Sequence, residues 1–498
     1  MTRSKNPERT IVGAIDLGTT GVRFALYDRD ALCLASAYRE IPIETPRPGW
    51  VEQDPAGMLE ATLAVLGDVL SRDATYPERL AATGIANQRE TVIAWDRETG
   101  RPLYPAIVWQ DKRTAERCAE VRLSELAGAI VERTGLPIDP YFSATKMEWL
   151  LRHVPGLRER ARDGEALLGT VDAWLLWQLT RTHATDDTNA SRTMLFDIDH
   201  RRWDGEILAL FEIPRACLPE VRPSLSAFGT VQPELVSGAE VPVAGVLGDQ
   251  QAALLGQGLT EPGEAQVTWG TGAFLLMNAG EVRARSTSGL ISTIAYTTTD
   301  APTCYALEGS VFVAGAAMQW VREMVGQPID ARAVVDSSEG VVFVPALTGL
   351  GAPHWDPHAR GLLIGLTRGT RREHLVRAAL EAIAYQTNDV VRAMERDVGE
   401  RITALHVGGG AARNDFLCQF QSDMLAVPVI RPQDSETTAR GAAFAAGITT
   451  GLWDSVQAVR TLTRNDRRFE PTMSSGVRDR LLDDWRRAVA RAKGWDAR

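Results

Sequence analysis

The chain has 498 residues, a length that predicts two to four domains. Hydrophobic residues make up 44% and charged residues 24%, a balance that excludes disorder, collagen-like repeats and a disulfide scaffold. Acidic side chains outnumber basic ones by 64 to 54, which argues against a nucleic-acid or anionic-membrane binder because such proteins use positive charge to displace counterions. The five cysteines are scattered and form no C-x-x-C pair, and the sequence shows neither a signal peptide nor an apolar run long enough to span a membrane. These features predict a protein of the reducing cytoplasm.

The first local signal is a glycine-rich turn between two β-rich runs, at residues 10–28. This pattern predicts a hairpin, and it recurs at residues 265–278, about half the chain away. The repeat indicates two similar domains. Glycine, proline and polar residues cluster at 256–263, so we expect one domain over residues 1–258 and a second over residues 259–498.

Strand-like and helical patterns alternate between and after the hairpins, as α/β architecture requires. Residues 80–86 and 242–248 are short apolar runs ending in polar residues, typical of buried parallel strands. Thr370 and Glu373 have the spacing of a capping box before a long helix, and Asn414 precedes another helical pattern.

The chain has no P-loop, no strand-linked G-x-G-x-x-G and no H-E-x-x-H motif. The hairpin tips offer another phosphate cradle, because the backbone N–H groups of a tight Gly/Thr turn converge and hydroxyls add donors. The candidate phosphate-binding residues are Thr19, Thr20 and Gly21 with nearby Arg23, and Thr271 with Gly272. Either tip taken alone is better explained as ordinary hairpin turn chemistry, whereas the presence of two such tips favours a phosphate cradle.

Polar residues follow three of the predicted strands. Asp16 and Asp249 suit a Mg²⁺ site and a general base respectively, although an isolated aspartate at such a position more often caps a helix. The adjacent Arg89 and Glu90 could present donors and acceptors to a polyhydroxy substrate, or form a solvated ion pair in a turn. Three aromatic residues could wall a small pocket: Trp109, Tyr141 and Phe274.

Longer motifs carry a more specific signal. They include NQRETVIAWDRETGRPLYPAIVWQDKRTAE, IDPYFSATK, TVDAWLLWQLT, TNASRTMLFDI, GDQQAALLGQ, WGTGAFLLMNAGE and VPALTGLGAPHWDPHARGLLIGLTRG. Through these motifs the sequence resembles the FGGY carbohydrate kinases over essentially its whole length. The resemblance implies two ribonuclease-H-like domains of the actin and hexokinase ATPase type around a central cleft. It also implies ATP and Mg²⁺ as cosubstrates, glycerol as the phosphoryl acceptor, and a dimer or tetramer.

The resemblance also implies roles for individual residues. The implied acceptor pocket, with Asp249 as general base, consists of Arg89, Glu90, Trp109, Tyr141, Asp249, Gln250 and Phe274. The implied nucleotide site consists of Thr19, Thr20, Gly21, Arg23, Thr271, Gly315, Gln319, Gly410 and Asn414, with Asp16 near the metal.

Three residues depart from the pattern of glycerol-phosphorylating members: Leu17, Val22 and Gly408. The first two are more similar to xylulose-phosphorylating members, so a kinase for another small polyol or ketose is the alternative activity. An actin-like ATP-dependent assembly or chaperone protein is the alternative of a different class, because fold does not fix function. Residues 228–243 lack the basic loop that binds fructose bisphosphate in some members, so this regulation is not expected.

Overall fold

The computed structural model describes residues 9–326 and 335–496. Residues 1–8 of the polar N-terminal segment, in which the sequence shows no signal peptide, lie outside the described residues. The chain forms two compact units. The first comprises Met1–Thr260, Thr293–Tyr305 and Glu436–Thr463, and the second comprises Glu261–Ser292, Ala306–Ser435 and Arg464–Arg498. This division is more interleaved than the single boundary between residues 258 and 259 expected from the sequence.

The strands are β1 (Ile11–Leu17), β2 (Gly21–Tyr27), β3 (Cys33–Glu40), β4 (Glu52–Gln53), β5 (Leu80–Asn87), β6 (Val92–Asp96), β7 (Ala106–Ile107), β8 (Ala166–Thr170), β9 (Ala184–Asp186), β10 (Phe196–Asp197), β11 (Arg202–Trp203), β12 (Glu220–Arg222), β13 (Gly229–Thr230), β14 (Pro242–Gly248), β15 (Ala265–Trp269), β16 (Ala273–Gly280), β17 (Ile291–Tyr296), β18 (Cys304–Val311), β19 (Val342–Val344), β20 (Leu362–Ile364), β21 (Leu405–Gly408), β22 (Val429–Pro432) and β23 (Asn465–Phe469).

The α-helices are α1 (Pro55–Leu70), α2 (Tyr76–Arg79), α3 (Ala115–Arg122), α4 (Ala127–Thr134), α5 (Ser143–His153), α6 (Leu157–Arg162), α7 (Val171–Thr180), α8 (Asp187–Ala190), α9 (Gly205–Leu210), α10 (Asp249–Gly256), α11 (Gly315–Val325), α12 (Arg372–Val398), α13 (Asp415–Leu425), α14 (Thr437–Thr450) and α15 (Ser475–Ala492). Short 3₁₀ helices lie at Arg215–Cys217, Pro233–Val236, Gly410–Arg413 and Ala458–Leu462.

The central sheet of the first unit has the strand order β13-β14-β5-β1-β2-β3. The predicted hairpin is confirmed, because β1 pairs with β2 in antiparallel register. The predicted parallel strands are also confirmed, because β5 lies parallel to β1 on one side and to β14 on the other. Parallel strands share one carboxyl edge, so the residues that follow β1, β5 and β14 emerge side by side.

The central sheet of the second unit repeats this topology. Its hairpin β15–β16 is antiparallel, as predicted. On the other side of β15, β21 pairs in parallel, and β22 pairs in parallel with β21. The strand β18 lies beside β16, as β3 lies beside β2 in the first unit. The two units are therefore built on one pattern, as the repeated hairpin predicted.

A helix late in the chain completes the first unit. Helix α14 packs on β5 and α10 through small residues, and side-chain atoms added at Gly84, Gly256 or Gly441 would collide with backbone carbonyls of the neighbouring element. The apolar core of this unit lies under the sheet and includes Ile15 and Trp174. Over residues 9–326 and 335–496, no helix combines the length and apolar character that crossing a membrane requires.

The start of α12 differs from the prediction. The helix begins at Arg372, and the backbone N–H of Arg371 donates to His374 Nδ1 at 3.2 Å. The hydroxyl of Thr370 instead accepts from the N–H of Thr367 at 2.8 Å, so it closes the preceding turn and the predicted capping box is wrong. The prediction for α13 is confirmed, since Asn414 Oδ1 accepts from the N–H of Leu417 at 3.1 Å.

Candidate active site

Candidate metal and acceptor residues lie at the carboxyl ends of three neighbouring parallel strands of the first unit. Asp16 in β1 lies opposite Ala86 in β5, and Gly248 at the end of β14 lies opposite Asn87. The segment Arg89–Glu90 follows β5 directly, and Asp249 follows β14. Small-molecule sites of α/β proteins lie beyond the carboxyl ends of such strands.

Arg89 and Asp249 form a direct ion pair at this edge. Arg89 Nε donates to Asp249 Oδ1 at 3.1 Å, while Arg89 Nη1 donates to Gln251 Oε1 at 3.2 Å. The Arg89 side chain is only 2% exposed, whereas that of Asp249 is 29% exposed. A Cβ atom at Gly248 would lie 2.6 Å from Arg89 Cδ, so a glycine is needed for the arginine to occupy this position. The buried guanidinium thus orients a carboxylate that stays accessible.

Asp249 is the first residue of α10 rather than its cap, a position that Gly248 takes. Its Oδ1 also accepts from the N–H of Gln250 at 2.7 Å. Asp249 therefore accepts from a backbone N–H in the first turn of α10, as a capping side chain does, and also forms the ion pair with Arg89. Gln250 follows it in the first turn of α10 and is buried.

Glu90 is paired with a residue that the sequence analysis missed. Glu90 Oε1 accepts from Arg192 Nε at 2.6 Å, and both side chains are almost completely buried. The backbone of Glu90 has φ +62, the left-handed region, and its carbonyl accepts from Ser143 Oγ at 3.0 Å. The interpretation of Arg89 and Glu90 as a solvated pair in a turn is wrong, because each is buried with its own partner.

Two of the three predicted wall aromatics lie together. The rings of Trp109 and Tyr141 meet edge to face at 5.5 Å, and the guanidinium of Arg192 lies 5.8 Å from the Tyr141 ring. The buried Lys146 donates to the carbonyls of Pro140 at 3.0 Å and Tyr141 at 2.6 Å. Burial lowers the pKa of Lys146 to about 7. Lys146 therefore fixes the loop that carries Tyr141, a role that the IDPYFSATK motif did not reveal.

The first hairpin tip is closed by the N–H of Gly18, which donates to the carbonyl of Gly21 at 3.0 Å. A Cβ atom at Gly21 would lie 2.5 Å from the carbonyl oxygen of Arg39, so only glycine is accommodated. Thr19 Oγ1 accepts from Trp109 Nε1 at 2.9 Å, and Thr20 is exposed at the tip. The candidate phosphate hairpin is thus joined to the aromatic wall.

Arg23 follows this tip on β2. Its Nε lies 3.0 Å from Oε2 of Glu436, the residue before α14. Its guanidinium also lies 5.4 Å from the ring of Tyr38. Arg23 is therefore held beside the hairpin by a residue from the late segment of the first unit.

Asp16 has the electrostatic setting of a cation site. Burial, together with the negative charges of Asp249 and Glu436, raises the pKa of the Asp16 carboxyl to about 7, and Arg23 partly opposes this. A bound cation would favour the ionised carboxylate. No group of three or more His, Cys, Asp or Glu side chains within residues 9–326 and 335–496 has metal-binding geometry. The setting fits Mg²⁺, which takes one or two carboxylates and relies on phosphates and water for the rest.

The second hairpin tip belongs to the second unit. The N–H of Gly270 donates to the carbonyl of Gly272 at 2.9 Å, and the N–H of Gly315 at the start of α11 donates to the carbonyl of Gly270 at 3.0 Å. A Cβ atom at Gly315 would lie 2.5 Å from that carbonyl oxygen. Thr271 is exposed at the tip, so its hydroxyl is available to a ligand.

The other predicted residues of the second unit lie on three elements. Gln319 is exposed on α11 and donates to Glu323 at 2.9 Å, and Phe274 lies half-buried on β16. Gly410 begins the 3₁₀ helix that follows β21, and Asn414 comes directly after it. Beside them lies a cavity of about 290 Å³ whose lining includes Gly408, Gly409 and Arg413. This cavity is the candidate adenosine site.

The structure thus brings one group of predicted residues together in the first unit: Asp16, Thr19, Thr20, Gly21, Arg23, Arg89, Glu90, Trp109, Tyr141, Asp249 and Gln250. A second group lies in the second unit: Thr271, Phe274, Gly315, Gln319, Gly410 and Asn414.

Comparison with known proteins gives the family. The profile of the FGGY family of carbohydrate kinases, N-terminal domain, matches residues 11–256, and that of the C-terminal domain matches residues 265–450. The chain belongs to the FGGY family of carbohydrate kinases. This FGGY kinase is 52% identical to a glycerol kinase of Halorhodospira halophila, over 97% of this chain and 96% of that protein. It is 50% identical to glycerol kinase 2 of Thermotoga maritima, over 97% and 99% of the two chains.

A solved structure agrees with these sequence relationships. The crystal structure of Plasmodium falciparum glycerol kinase with ADP superposes with a TM-score of 0.91 at 36% identity, covering 97% of this FGGY kinase and 98% of that chain. The two-domain α/β fold expected from the sequence is confirmed.

Proposed function

We propose that this FGGY kinase transfers the γ-phosphoryl group of ATP to a terminal hydroxyl of glycerol, giving sn-glycerol 3-phosphate and ADP. The observation that carries the proposal is the polar site at the carboxyl edge of the first sheet. There the buried pair Glu90–Arg192 and the pair of buried Arg89 with accessible Asp249 lie with the aromatic wall of Trp109 and Tyr141. The relatives named glycerol kinase and the relative solved with ADP support it.

A small triol matches the chemistry of these side chains. A guanidinium such as that of Arg89 donates hydrogen bonds to hydroxyl oxygens, and a carboxylate such as that of Glu90 accepts them from hydroxyl groups. The faces of Trp109 and Tyr141 suit the carbon backbone. Because the charged groups are already oriented by buried partners, little reorganisation accompanies binding, and the attacking hydroxyl is positioned rather than only captured.

Asp249 is the proposed general base. Its carboxylate is accessible, lies in the first turn of α10 and is oriented by Arg89. It would accept the proton of the attacking hydroxyl as the oxygen–phosphorus bond forms and the bond to the ADP oxygen breaks.

The hairpin tips are the proposed phosphate cradles. Backbone N–H groups and hydroxyls of Thr19, Thr20 and Thr271 would donate to phosphate oxygens, and Arg23 adds a positive charge beside the first tip. Mg²⁺ supplies charge neutralisation on the phosphate oxygens, and Asp16 is the residue that would hold it. The cavity beside Gly408 and Gly409 is the proposed place of the adenosine.

The departures at Leu17 and Val22 have a packing explanation. These residues pair across the β1–β2 hairpin, and both are completely buried. Buried residues inside the sheet contact neither acceptor nor phosphate, so their similarity to xylulose-phosphorylating members does not favour a different acceptor.

The test is release of ADP by the purified protein, measured with a coupled assay at one ATP concentration with and without glycerol. Dihydroxyacetone, erythritol and xylulose serve as alternative acceptors at equal concentration. We expect glycerol to give the highest kcat/KM and the acceptor-free rate to be a small fraction of it. A higher kcat/KM with a ketose would favour the alternative kinase activity. Hydrolysis independent of acceptor and accompanied by polymerisation would indicate an actin-like protein.

We also propose a cytoplasmic location and a dimer or tetramer, which the family resemblance implies. Light scattering coupled to size-exclusion chromatography tests the assembly state, and a monomeric mass at micromolar concentration would contradict it.

A further inference from the structure

A cavity of about 400 Å³ lies in the second unit between one face of α12 and one face of α15. None of its lining residues belongs to the proposed acceptor or nucleotide sites. On α12, residues spaced three and four apart line it, as expected for one face of a helix. The lining residues are Pro353, His354, Asn388, Asp389, Arg392, Arg396, Leu482, Arg486 and Val489.

The cavity carries more positive than negative charge. Asp389 is the only carboxylate in its lining, and that carboxylate already has donors, since Oδ2 accepts from Trp485 Nε1 at 2.7 Å and lies 3.2 Å from His354 Nε2. Arg392 is engaged by Glu395 and by the carbonyl of Leu425, both at 2.6 Å.

Two exposed arginines at the edge of the cavity keep most of their donors unused. Arg396 makes no hydrogen bond or ion pair with any residue in the ranges 9–326 and 335–496. Arg486 donates through Nε to the carbonyl of Leu482 at 3.1 Å and lies 3.9 Å from Asp483, which leaves most of its guanidinium donors unused. Converging guanidinium groups recognise phosphate oxygens.

A second observation points to a ligand with a hydroxyl group. Asn388 is 5% exposed and lines the cavity, and its Oδ1 atom has no hydrogen-bond partner. A buried acceptor left without a donor costs free energy, so such atoms are rare in folded proteins. Oδ1 is itself closed to solvent, so a ligand hydroxyl reaches it after rotation of the Asn388 amide, and donation to Oδ1 then removes this cost.

From this geometry we infer that the cavity binds a small phosphorylated polyol. Its phosphate contacts Arg396 and Arg486, and one of its hydroxyl groups donates to Asn388 Oδ1. The cavity volume lies in the range of small-molecule sites. The site itself does not depend on the proposed function. sn-Glycerol 3-phosphate is chosen as the probe because it combines both groups and is the product of the proposed reaction, so a regulatory role would follow.

The test is calorimetric titration of the full chain with sn-glycerol 3-phosphate, inorganic phosphate and glycerol. The double variant Arg396→Gln/Arg486→Gln removes both guanidinium groups. Arg372→Gln, at the other end of α12 and about 36 Å away along the helix, is the matched control. We expect the wild-type and control proteins to show one more binding event for sn-glycerol 3-phosphate than the double variant. If the number of events is the same, we expect the double variant to bind sn-glycerol 3-phosphate at least tenfold more weakly than the wild-type and control proteins. Identical titrations of wild-type and double variant would overturn the inference.

Asn388→Leu separates the two halves of the ligand. It removes the acceptor at similar volume, so binding of sn-glycerol 3-phosphate at the cavity should weaken severalfold while binding of inorganic phosphate does not change. Equal affinities of both ligands for both proteins would overturn the polyol assignment. Far-UV circular dichroism and the Tm, measured on every variant, report folding independently of activity. If the wild-type protein fails to phosphorylate glycerol but the titrations differ as expected, the proposed function fails and the cavity assignment stands.

Discussion

Trp109 Nε1 donates a hydrogen bond to Thr19 Oγ1 at 2.9 Å, and this bond joins the aromatic wall of the candidate acceptor site to the first phosphate hairpin. A side chain proposed to cover glycerol therefore also orients a hydroxyl proposed to bind phosphate. On the proposed function, we expect placement of one substrate to be linked to placement of the other through this bond.

We predict that Trp109→Phe, which keeps the aromatic face and removes the N–H, affects the nucleotide more than glycerol. A neutral hydrogen bond contributes about 0.5–1.5 kcal/mol, so kcat/KM for ATP should fall about two- to tenfold. Thr19→Val removes the other partner. Steady-state kinetics of both single variants and the double variant form a cycle, and fully additive effects would show that the bond does not link the two sites.

Arg89→Ala should impair glycerol use specifically. The variant loses donors to substrate hydroxyls and leaves Asp249 without its buried partner. Charge-assisted hydrogen bonds contribute about 1.5–3 kcal/mol each, so kcat/KM for glycerol should fall at least ten- to a hundredfold while KM for ATP changes little. The exposed Arg101→Ala is the control. An unchanged glycerol KM and kcat in Arg89→Ala would remove this residue from the acceptor site.

Asp249→Asn keeps size and most hydrogen bonding but cannot accept the hydroxyl proton. A positioned general base contributes about 10²- to 10⁴-fold, so kcat should fall within that range while calorimetry still shows glycerol binding. Asp54→Asn, which alters the cap of α1, controls for loss of a carboxylate elsewhere in the first unit. Turnover close to wild type with intact glycerol binding would mean that positioning alone carries the reaction.

Arg192 is predicted to act as a positioning residue through Glu90. Removing one partner of a buried pair costs about 3–5 kcal/mol, so Arg192→Ala should lower the Tm and raise the glycerol KM, with partial recovery in Arg192→Lys. Arg201→Ala breaks the pair with the buried Asp187, which is not among the proposed acceptor residues. Arg201→Ala should lower the Tm without raising the glycerol KM. Equal glycerol KM values in the two alanine variants would leave Arg192 with a structural role only.

Asp16 predicts a pH dependence of stability. Its carboxyl titrates near 3.8 when unfolded and near 7 in the folded protein, so between these values the folded state binds more protons. Its contribution to stability is therefore present below about pH 4 and lost as pH rises through 7. Asp16→Asn removes this loss. The free energy of unfolding is measured by urea titration without nucleotide or Mg²⁺. The difference between the variant and wild type should be more favourable to the variant at pH 8 than at pH 4, by on the order of 2–4 kcal/mol. A pH-independent difference would contradict the shifted pKa.

Local patterns made the sheet edges predictable. Glycine turns between β-rich runs predicted both hairpins, and apolar runs ending in polar residues predicted β5 and β14. The partners of the charged residues were not predictable, because Glu90 and Arg192 are 102 residues apart and no local pattern connects them. The polar site was therefore predicted by residue type, but its pairing depended on the tertiary fold.

Competition between nearby groups explains the other differences. Thr370 had the sequence of a helix cap, yet its hydroxyl satisfies the N–H of Thr367 instead. Lys146 was not singled out in the sequence, because only the packing of α5 buries its ammonium group against the carbonyls of Pro140 and Tyr141. In both cases the deciding partner is fixed by the path of a loop, which periodicity does not reveal.

The interleaving of the two units has a consequence for synthesis on the ribosome. Strands β1, β5 and β14 are complete once residue 248 has been made, but α14, which covers β5, arrives only with residues 437–450. One face of the sheet in the nascent first unit therefore stays uncovered during translation of Glu261–Ser292 and Ala306–Ser435, which form most of the second unit. A nascent chain of about 300 residues on a stalled ribosome should be digested readily by protease and should bind chaperones. Resistance of the first unit should appear only after the segment Glu436–Thr463 leaves the exit tunnel.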